Sequence, residues 1–341
     1  MKAKNISGQM PGGKRTKLAD VVPLDTPYVV QVFPIYACNF RCNYCLFSID
    51  KNKRGFVSDK SIMDFELYKK FVDDLLMFPN KIKVLRIVGI GEPLLHKNIA
   101  DMIKYAIDKN AANITELLTN ASLLTPVVSN SLISAGLARL MISLQGTTKG
   151  KYKKVCRADI DFNEFVGNIE YFYKHKTNTQ MYIKIIDCAL DGKKDEEKFY
   201  KIFGNICDTI AVECAVPIHS GIDYKSIIKD RKEPLTQFGR FVTDINVCPQ
   251  PFFTMQINPD GKVVPCYSFE YPGIMGDCNT QSMKDIWDSS IFTNFRKRML
   301  NGRQEVSSAC RKCNIMRYRV SPEDVLDNDV EKIRERYKEE K

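Results

Sequence analysis

The stretch CNFRCNYC, residues 38 to 45, places three cysteines on one short loop with the spacing C-x3-C-x2-C. A cubic four-iron cluster takes four thiolates, so Cys38, Cys42 and Cys45 would hold three irons and leave the fourth open to an outside ligand. A zinc knuckle, or structural thiols that lie together by chance, would also be compatible with this spacing. The stretches that follow the loop along the chain favour the iron cluster.

Composition limits the class of protein to which this chain of 341 residues belongs. Its twelve cysteines accompany an N-terminal segment, residues 1–20, that is polar and basic. A secreted disulfide framework would follow an apolar signal segment, so we expect reduced thiols and a cytoplasmic location. No apolar run reaches the length of about 18 residues that a membrane span requires, and we expect no membrane partner.

The net charge of +10 favours acidic partners. A phosphorylated or nucleotide-linked substrate, an acidic peptide, an acidic electron donor and nucleic acid all have the required sign. A lysine-rich, solvated surface without such a role is the competing interpretation, and nucleic acid is the partner that we least expect.

Apolar strand-like runs alternate with amphipathic helical patterns through most of the chain. The predicted strands cover residues 28–36, 83–88, 113–119, 139–144, 180–187 and 208–213. The predicted helices cover residues 62–77, 98–109, 126–134, 162–176 and 194–203. Repeated βα units of this kind indicate a parallel sheet with helices packed on it, and the predicted fold class is α/β.

The strand pattern also predicts which side chains line the inner face of the sheet. Successive residues of a strand point to opposite faces, and the face that packs on helices must be apolar. The residues expected on the inner face are Glu116, Asn120, Met141, Ser143, Gln145, Lys184, Cys188 and Glu213. Polar groups are costly there unless they are solvated or bound to something, so we expect a polar ligand.

Three further stretches lie at the ends of predicted strands. GIGEP at residues 89–93 follows the second strand, TNA at 119–121 ends the third, and ISLQG at 142–146 ends the fourth. Glycines allow the chain to approach a ligand closely, and Glu92 offers an acceptor for an ammonium group.

Together with the cysteine loop, these stretches resemble the signature of the radical S-adenosylmethionine (radical SAM) superfamily. In that family S-adenosylmethionine chelates the open iron, and an electron from the cluster breaks its carbon–sulfur bond. The resulting 5'-deoxyadenosyl radical removes a hydrogen atom from the substrate. The resemblance implies a partial (β/α)6 barrel, similar to an incomplete TIM barrel.

The resemblance also implies a set of residues that contact S-adenosylmethionine. They are Tyr44, Gly89, Gly91, Glu92, Pro93, Asn120, Ser143, Gln145 and Lys184. Ala121 replaces a glycine of the family's usual form, and Gln145 replaces an aspartate. The second change puts a charged contact to the ribose hydroxyls in doubt, although an amide still donates and accepts. Lys184 would pair with the methionyl carboxylate or serve only the substrate.

Four cysteines beyond residue 225 have the spacing C-x17-C, 43 residues, C-x2-C. The turn signal NPDG at 258–261 predicts a hairpin just before the second of them. The segment resembles the SPASM and shorter twitch extensions of the superfamily, which bind auxiliary four-iron clusters. No cysteine follows Cys313, so we expect one auxiliary 4Fe-4S cluster on Cys248, Cys266, Cys310 and Cys313. A zinc site would use the same residues and is the alternative.

These patterns predict five segments. Residues 1–27 are expected to be a flexible basic arm and residues 28–224 the radical SAM partial barrel. Residues 225–247 form a connector, 248–320 the auxiliary cluster domain, and 321–341 a charged C-terminal helix.

Two chemistries would follow the first hydrogen abstraction. Oxidation of a carbon that bears a hydroxyl or amine needs a base, and the candidates are Glu213, Glu116 and Arg157. Epimerisation needs a thiol that returns a hydrogen atom, and the candidates are Cys188 and Cys156. Salt bridging and core packing are the competing roles of these residues.

The predicted function is therefore a radical SAM oxidoreductase or epimerase. Its expected substrate is small and polar, such as a sugar, a cyclitol, an amino sugar or a related polyol, and its expected reductant resembles flavodoxin or ferredoxin. A peptide maturase that oxidises, epimerises or cross-links side chains is the alternative. A non-catalytic iron–sulfur electron carrier is more remote, because it would have no use for the S-adenosylmethionine-binding stretches.

Overall fold

The computed structural model describes residues 1–9, 15–54, 58–219, 221–228, 231, 233–267 and 270–339. Parts of the predicted arm, connector, auxiliary domain and C-terminal helix, at residues 10–14, 229–230, 232, 268–269 and 340–341, lie outside the described residues. No helix in the described part of the chain is long and apolar enough to cross a membrane.

The described strands belong to one sheet. They are β1 (Lys4–Asn5), β2 (Val29–Val32), β3 (Ile82–Ile87), β4 (Ala112–Thr119), β5 (Arg139–Leu144), β6 (Gln180–Ile186), β7 (Thr209–Glu213), β8 (Thr254–Ile257), β9 (Lys262–Val264) and β10 (Gly276–Asp277). Their order is β1-β7-β6-β5-β4-β3-β2-β8-β9-β10. In this spatial order, each pair of neighbouring strands from β1 to β8 is parallel. The pairs β8–β9 and β9–β10 are antiparallel.

Helices cover the outer face of this sheet and build the C-terminal region. They are α1 (Phe65–Leu75), α2 (Ile99–Asp108), α3 (Pro126–Ser134), α4 (Lys149–Cys156), α5 (Phe162–His175), α6 (Lys193–Phe203), α7 (Tyr224–Ile227), α8 (Gln250–Phe253), α9 (Met283–Asp288), α10 (Ser290–Met299), α11 (Ser308–Lys312), α12 (Ile315–Arg319) and α13 (Val330–Glu339). The six strands β2 to β7, each followed by helix or loop, form an open sheet. The predicted α/β fold with a partial (β/α)6 barrel is confirmed.

The main apolar core lies between the sheet and its helices. Leu140, Ile142 and Leu144 of β5 and Ile183 and Ile185 of β6 are buried in it. The alternation predicted for these strands therefore holds, and the intervening residues face the inner side of the sheet.

The N-terminal arm, expected to be flexible, packs against the rest of the chain at several of its described residues. Lys4 and Asn5 pair in parallel with Thr209 and Ile210 at the edge of β7. An uncovered sheet edge presents unpaired backbone groups, and β1 satisfies part of this edge. Leu18, in a short 3-10 turn, is 2% exposed and belongs to the main core.

The C-terminal helix is charged, as predicted, but it is also docked. Ile333 and Tyr337 of α13 are buried, and the Tyr337 ring packs against Phe252. Arg336 donates hydrogen bonds to the carbonyl oxygens of Ala19 and Val22, at 2.9 and 2.8 Å. The two ends of the described chain therefore hold each other.

The burial of Leu18 in the main core predicts that the N-terminal arm contributes to stability. Leu18→Ala should lower the free energy of unfolding of the anaerobically loaded protein by about 2–5 kcal/mol, because it removes a buried side chain and leaves a cavity. Leu76→Ala makes the same chemical change at a site that is 49% exposed and should cost far less. Guanidinium unfolding of both variants checks this, and equal small losses would mean that the arm is not part of the core.

Candidate active site

The cysteine loop follows β2 and is anchored on the end of α4. The backbone N–H of Arg41 donates to the carbonyl oxygen of Cys156 at 2.9 Å, and that of Asn43 donates to Val155 at 2.9 Å. No disulfide joins any of the twelve cysteines, all of which lie within the described residues. These hydrogen bonds fix the position of the loop, and its three thiols are free to bind a metal cluster.

The three thiols of the loop lie close to one another. The pKa of the Cys42 thiol is raised by its hydrogen bond with Cys156, by burial and by the adjacent Cys45 and Cys38. Cys42 is buried and the other two loop cysteines are half-buried. This donor set, soft thiolates on one loop, fits three corners of an iron–sulfur cluster.

The GIGEP stretch packs against the chain that enters the loop. A Cβ atom on Gly91 would lie 2.3 Å from the carbonyl oxygen of Ile35 and 2.7 Å from that of Ala37. A Cβ atom on Gly89 would lie 3.0 Å from the Phe33 ring. Glycine is required at residue 91 because two backbone segments meet there without room for a side chain.

The Glu92 carboxylate joins two of the predicted stretches. It is 2% exposed. It accepts hydrogen bonds from Thr119 Oγ1 at 2.6 Å, the backbone N–H of Asn120 at 2.7 Å and that of Leu94 at 3.0 Å. Burial raises the pKa of Glu92, and these hydrogen bonds oppose the rise. An ionised carboxylate offers about four acceptor sites, so about one remains for a ligand. Pro93 is buried and begins the 3-10 turn that follows.

Asn120 connects the end of β4 to the cysteine loop. Its Nδ2 donates to Asn39 Oδ1 at 3.0 Å and lies 4.0 Å from Cys38 Sγ. The next residue, Ala121, has φ of 59°, in the left-handed region. A side chain costs about 1–2 kcal/mol there, which gives a physical reason for the glycine of the family's usual form.

Gln145 follows β5 and lies beside Tyr44. Its Nε2 donates to the carbonyl oxygen of Ser143 at 2.8 Å, while its Oε1 is buried and has no hydrogen-bond partner among the described residues. Burial raises the pKa of the Tyr44 phenol, and its contact with the Gln145 side chain opposes the rise. A buried acceptor without a partner is suited to a hydroxyl donor such as a ribose. The residues around the loop thus fit a cluster with S-adenosylmethionine.

A cavity of about 250 Å³ lies on the inner face of the barrel. Glu213 lines it and is 6% exposed. Its carboxylate accepts from Lys184 Nζ at 2.7 Å, Gln237 Nε2 at 2.6 Å and the Tyr182 hydroxyl at 3.0 Å. Met141 also lines the cavity, so the inward orientation predicted for this residue, Lys184 and Glu213 is confirmed.

Of the predicted catalytic residues, Glu116, Arg157, Cys156 and Cys188 do not line this cavity, although Glu116 lies on the inner face of the sheet beside Arg86, as predicted. Glu116 is fully buried, and Arg86 and Arg139 hold both of its carboxylate oxygens. Arg157 is exposed at the C-terminal cap of α4. Cys156 is buried in the main core behind the cysteine loop, and its thiol donates to the Tyr152 carbonyl oxygen at 3.0 Å. For Glu116, Arg157 and Cys156 these positions favour the competing roles, ion pairing and core packing, and their roles in proton or hydrogen transfer stay predictions.

Cys188 lies in the turn after β6 and is half-buried. Burial raises the pKa of its thiol to about 12, which keeps the S–H bond intact near neutral pH. The thiol also acts on the pKa of Tyr44, which follows from a position near the cysteine loop. It remains the candidate for hydrogen return.

The four C-terminal cysteines all line a second cavity, of about 140 Å³. Cys248 precedes α8, Cys266 follows the β8–β9 hairpin, and Cys310 and Cys313 lie in α11 and at its cap. Among the described residues, no group of three or more His, Cys, Asp or Glu side chains is arranged to hold a single metal ion. Four thiols that share one cavity suit a thiolate-ligated cluster.

Several residues of the site were missed by sequence reasoning. Arg86 and Tyr182 line the barrel cavity, and their strand alternation could have indicated them. Gln237, Tyr267 and Arg319 line it from segments without periodicity, which carry no such signal.

His219, in the loop after β7, lines the cavity of the four cysteines. Burial and the nearby Arg319 lower its pKa to about 4, so the ring is neutral at pH 7.

Comparisons with known proteins agree with this geometry. The family model described as the radical SAM superfamily matches residues 32–200, and the SPASM iron-sulfur cluster-binding domain matches residues 248–314. The tungsten-containing aldehyde ferredoxin oxidoreductase cofactor-modifying protein of Pyrococcus furiosus is 24% identical, with 76% of this chain and 80% of the relative covered. The S-adenosyl-L-methionine-dependent 2-deoxy-scyllo-inosamine dehydrogenase of Niallia circulans is 24% identical, and the match covers 81% of this chain and 88% of the relative.

The fold is shared with solved structures. Streptococcus suis SuiB bound to S-adenosylmethionine superposes with a TM-score of 0.60 at 15% identity, covering 89% of this chain and 74% of SuiB. SuiB bound to precursor peptide SuiA gives a TM-score of 0.58 at 14% identity, and the match covers 89% of this chain and 73% of SuiB. The chain belongs to the radical SAM superfamily and carries a SPASM domain, and its cofactors are S-adenosylmethionine and iron–sulfur clusters, including a 4Fe-4S cluster.

Proposed function

We propose that this protein dehydrogenates a small polyhydroxylated substrate, such as a sugar, a cyclitol, an amino sugar or a related polyol, in the barrel cavity. The observation that carries the proposal is the buried Glu213 carboxylate on the cavity wall, held in place by three donors. Three hydrogen bonds leave about one acceptor site on the carboxylate of this cavity-lining residue.

The proposal assigns the cluster ligands by position. Cys38, Cys42 and Cys45 hold the 4Fe-4S cluster that binds S-adenosylmethionine. When bound, these groups supply a 5'-deoxyadenosyl radical that removes a hydrogen atom from a substrate carbon. Gln145 and Glu92 offer acceptors to S-adenosylmethionine.

Glu213 would then act as the base. Loss of a hydrogen atom from a carbon that bears a hydroxyl makes the hydroxyl proton acidic, and a carboxylate within hydrogen-bond reach can accept it. Lys184, Gln237 and Tyr182 fix the orientation of the carboxylate. The carbonyl product would form once one further electron is lost, and Cys248, Cys266, Cys310 and Cys313 would hold an auxiliary cluster able to accept that electron.

The adjacency of the barrel cavity and the auxiliary cavity supports transfer of this second electron. Cys266 lines the auxiliary cavity, and its chain neighbour Tyr267 lines the barrel cavity. Ile315 lines both cavities. The two cavities therefore share part of their walls, which favours electron transfer between them.

The size and polarity of the barrel cavity support a small substrate. Its volume is of the order of those that hold small ligands, and its polar groups converge on Glu213. The dehydrogenase from Niallia circulans acts, by its name, on an amino cyclitol, which is a compound of this class.

Product mass tests the reaction. The anaerobically reconstituted protein is incubated with S-adenosylmethionine, dithionite and a panel of sugars, cyclitols and amino sugars in deuterated water. Dehydrogenation predicts a product lighter by two hydrogens, together with 5'-deoxyadenosine. A product of unchanged composition that takes up solvent deuterium would instead indicate epimerisation and overturn the proposal.

Cys188→Ala distinguishes the two outcomes further. A dehydrogenase does not need a hydrogen-donating thiol, so this variant should form product at the same rate as Cys207→Ala. Cys207 is fully buried in the core and serves as the matched cysteine control. Loss of product in the Cys188 variant alone would favour epimerisation.

A further inference from the structure

The wall of the barrel cavity carries more positive than negative side chains. Two of its cations are neutralised within the wall: Lys184 by Glu213 at 2.7 Å, and Arg15 by Asp324. Arg86 and Arg319 are the other two cations that line this cavity in the described part of the chain. The charges on these two arginines are the ones left for a ligand.

Arg86 is only partly neutralised. It shares the single Glu116 carboxylate with Arg139, so two positive charges face one negative charge. The Glu116 side chain is 0% exposed, whereas the Arg86 side chain is 37% exposed. Of these two ion-paired residues, Arg86 is therefore the one that reaches the cavity.

Arg319 has no carboxylate partner among the ion pairs of the described residues. Its Nε is buried and has no hydrogen-bond partner there. Its guanidinium lies 5.3 Å from the centre of the Tyr267 ring, on the cavity wall. Burial raises the pKa of the Tyr267 phenol, and Arg319 and Arg86 both oppose that rise. Both guanidinium groups are therefore near the same phenol.

Gln237 adds an acceptor on the same cavity. Its Nε2 is bonded to Glu213, but its Oε1 is buried without a hydrogen-bond partner among the described residues. A hydroxyl of a ligand would satisfy this oxygen, and an anionic oxygen would satisfy the donor on Arg319. One ligand that carries both a hydroxyl and an anionic group would give hydrogen-bond partners to both Gln237 and Arg319.

We propose that the barrel cavity binds a polyol that carries an anionic group, either a phosphate or a carboxylate, with the anion held by Arg319 and Arg86 beside Tyr267 and a hydroxyl at Gln237. The inference rests on the proposed function and narrows its substrate class. Planar arginine side chains bind phosphate and carboxylate oxygens in pairs, which suits either anion.

Equilibrium binding tests the inference without turnover. The full-length, anaerobically reconstituted protein with S-adenosylmethionine and no reductant is titrated calorimetrically with myo-inositol 1-phosphate, glucuronate and myo-inositol. At least one anionic probe should bind about tenfold or more tightly than myo-inositol, as charge-assisted hydrogen bonds require. Whether the phosphate or the carboxylate binds more tightly identifies which anion the site takes.

Variants of Arg319 test whether this residue causes the preference for anionic probes. Arg319→Gln should bring the anionic and neutral probes to similar affinities, and Arg319→Lys should restore part of the difference. Arg317→Gln, on the same helix, is the matched control because Arg317 pairs with Asp244 and does not line the cavity. It should keep the full preference.

Equal affinities for the charged and neutral probes, or no binding of any probe, would overturn the inference from the wild-type protein alone. An anion preference that survives in Arg319→Gln would also overturn it. Dithionite-driven cleavage of S-adenosylmethionine, measured in parallel without substrate, separates this failure from that of the proposed function. Cleavage without an anion preference overturns the substrate class only, whereas absent cleavage overturns the proposed function.

Discussion

Cys42→Ala is expected to abolish cleavage of S-adenosylmethionine and to remove about four of about eight irons per chain, since each cluster has four. Two remaining thiolates cannot hold a cluster that already lacks a fourth protein ligand. Cleavage should fall by more than about a hundredfold, because even the loss of groups that only orient metal ligands has effects of that size. Chromatography of 5'-deoxyadenosine and an iron assay measure both effects.

Two controls accompany this variant. Cys207→Ala removes a buried core thiol and should keep about eight irons and full cleavage. The double variant Cys310→Ala/Cys313→Ala should lose about four irons while it keeps cleavage, because only the auxiliary site is removed. Normal cleavage by Cys42→Ala, or unchanged iron in the double variant, would contradict the assignment of the two sites.

Glu213→Gln is expected to lower product formation by about 10²- to 10⁴-fold, the usual contribution of a general base. The substitution keeps the size of the side chain but removes the carboxylate that takes the proton. Cleavage of S-adenosylmethionine should continue, so 5'-deoxyadenosine should accumulate without a matching amount of product. The ratio of the two compounds, measured by mass spectrometry, is the readout.

Glu116→Gln is the matched control for this prediction. Glu116 is also a buried, ion-paired carboxylate, but Arg86 and Arg139 occupy both of its oxygens. Its substitution should lower stability and leave the ratio of product to 5'-deoxyadenosine near that of the wild-type protein. If Glu213→Gln behaves in the same way, Glu213 is not the base.

Local sequence signals predicted the barrel elements well. Strand β5 and helix α3 have the predicted bounds, 139–144 and 126–134. In α3 this follows from a strong start signal, because Thr125 caps the helix by accepting from the Val128 N–H and Pro126 occupies its first turn. Alternation in β6 and β7 also predicted the inward side chains of Lys184 and Glu213.

Other elements depended on contacts that no local pattern encodes. Helix α4 contains four lysines between Lys149 and Lys154, and so lacks the apolar stripe by which helices are recognised. Strand β8 pairs in parallel with β2, so that Val29 lies beside Thr254. This pairing joins the auxiliary domain to the barrel sheet, and it links positions too distant in the chain for periodicity to relate.

The same limit applies to the candidate site. Cysteine spacing indicated the four residues that line the auxiliary cavity, because the chemistry of a cluster restricts the spacing of its ligands. The ion pairs of Glu116 with Arg86 and Arg139, which compete with the catalytic role predicted for it, are tertiary contacts that no local pattern encodes. Arg319 and Tyr267 reach the barrel cavity from the auxiliary domain, which only the folded chain reveals.

Electron paramagnetic resonance of the reduced, oxygen-free Cys310→Ala/Cys313→Ala variant tests the central claim most directly, because only the loop cluster on Cys38, Cys42 and Cys45 should contribute. The account predicts a 4Fe-4S signal whose g values shift when S-adenosylmethionine is added, since the cofactor binds the open iron. Absence of a 4Fe-4S signal, or a signal that S-adenosylmethionine leaves unchanged, would contradict it.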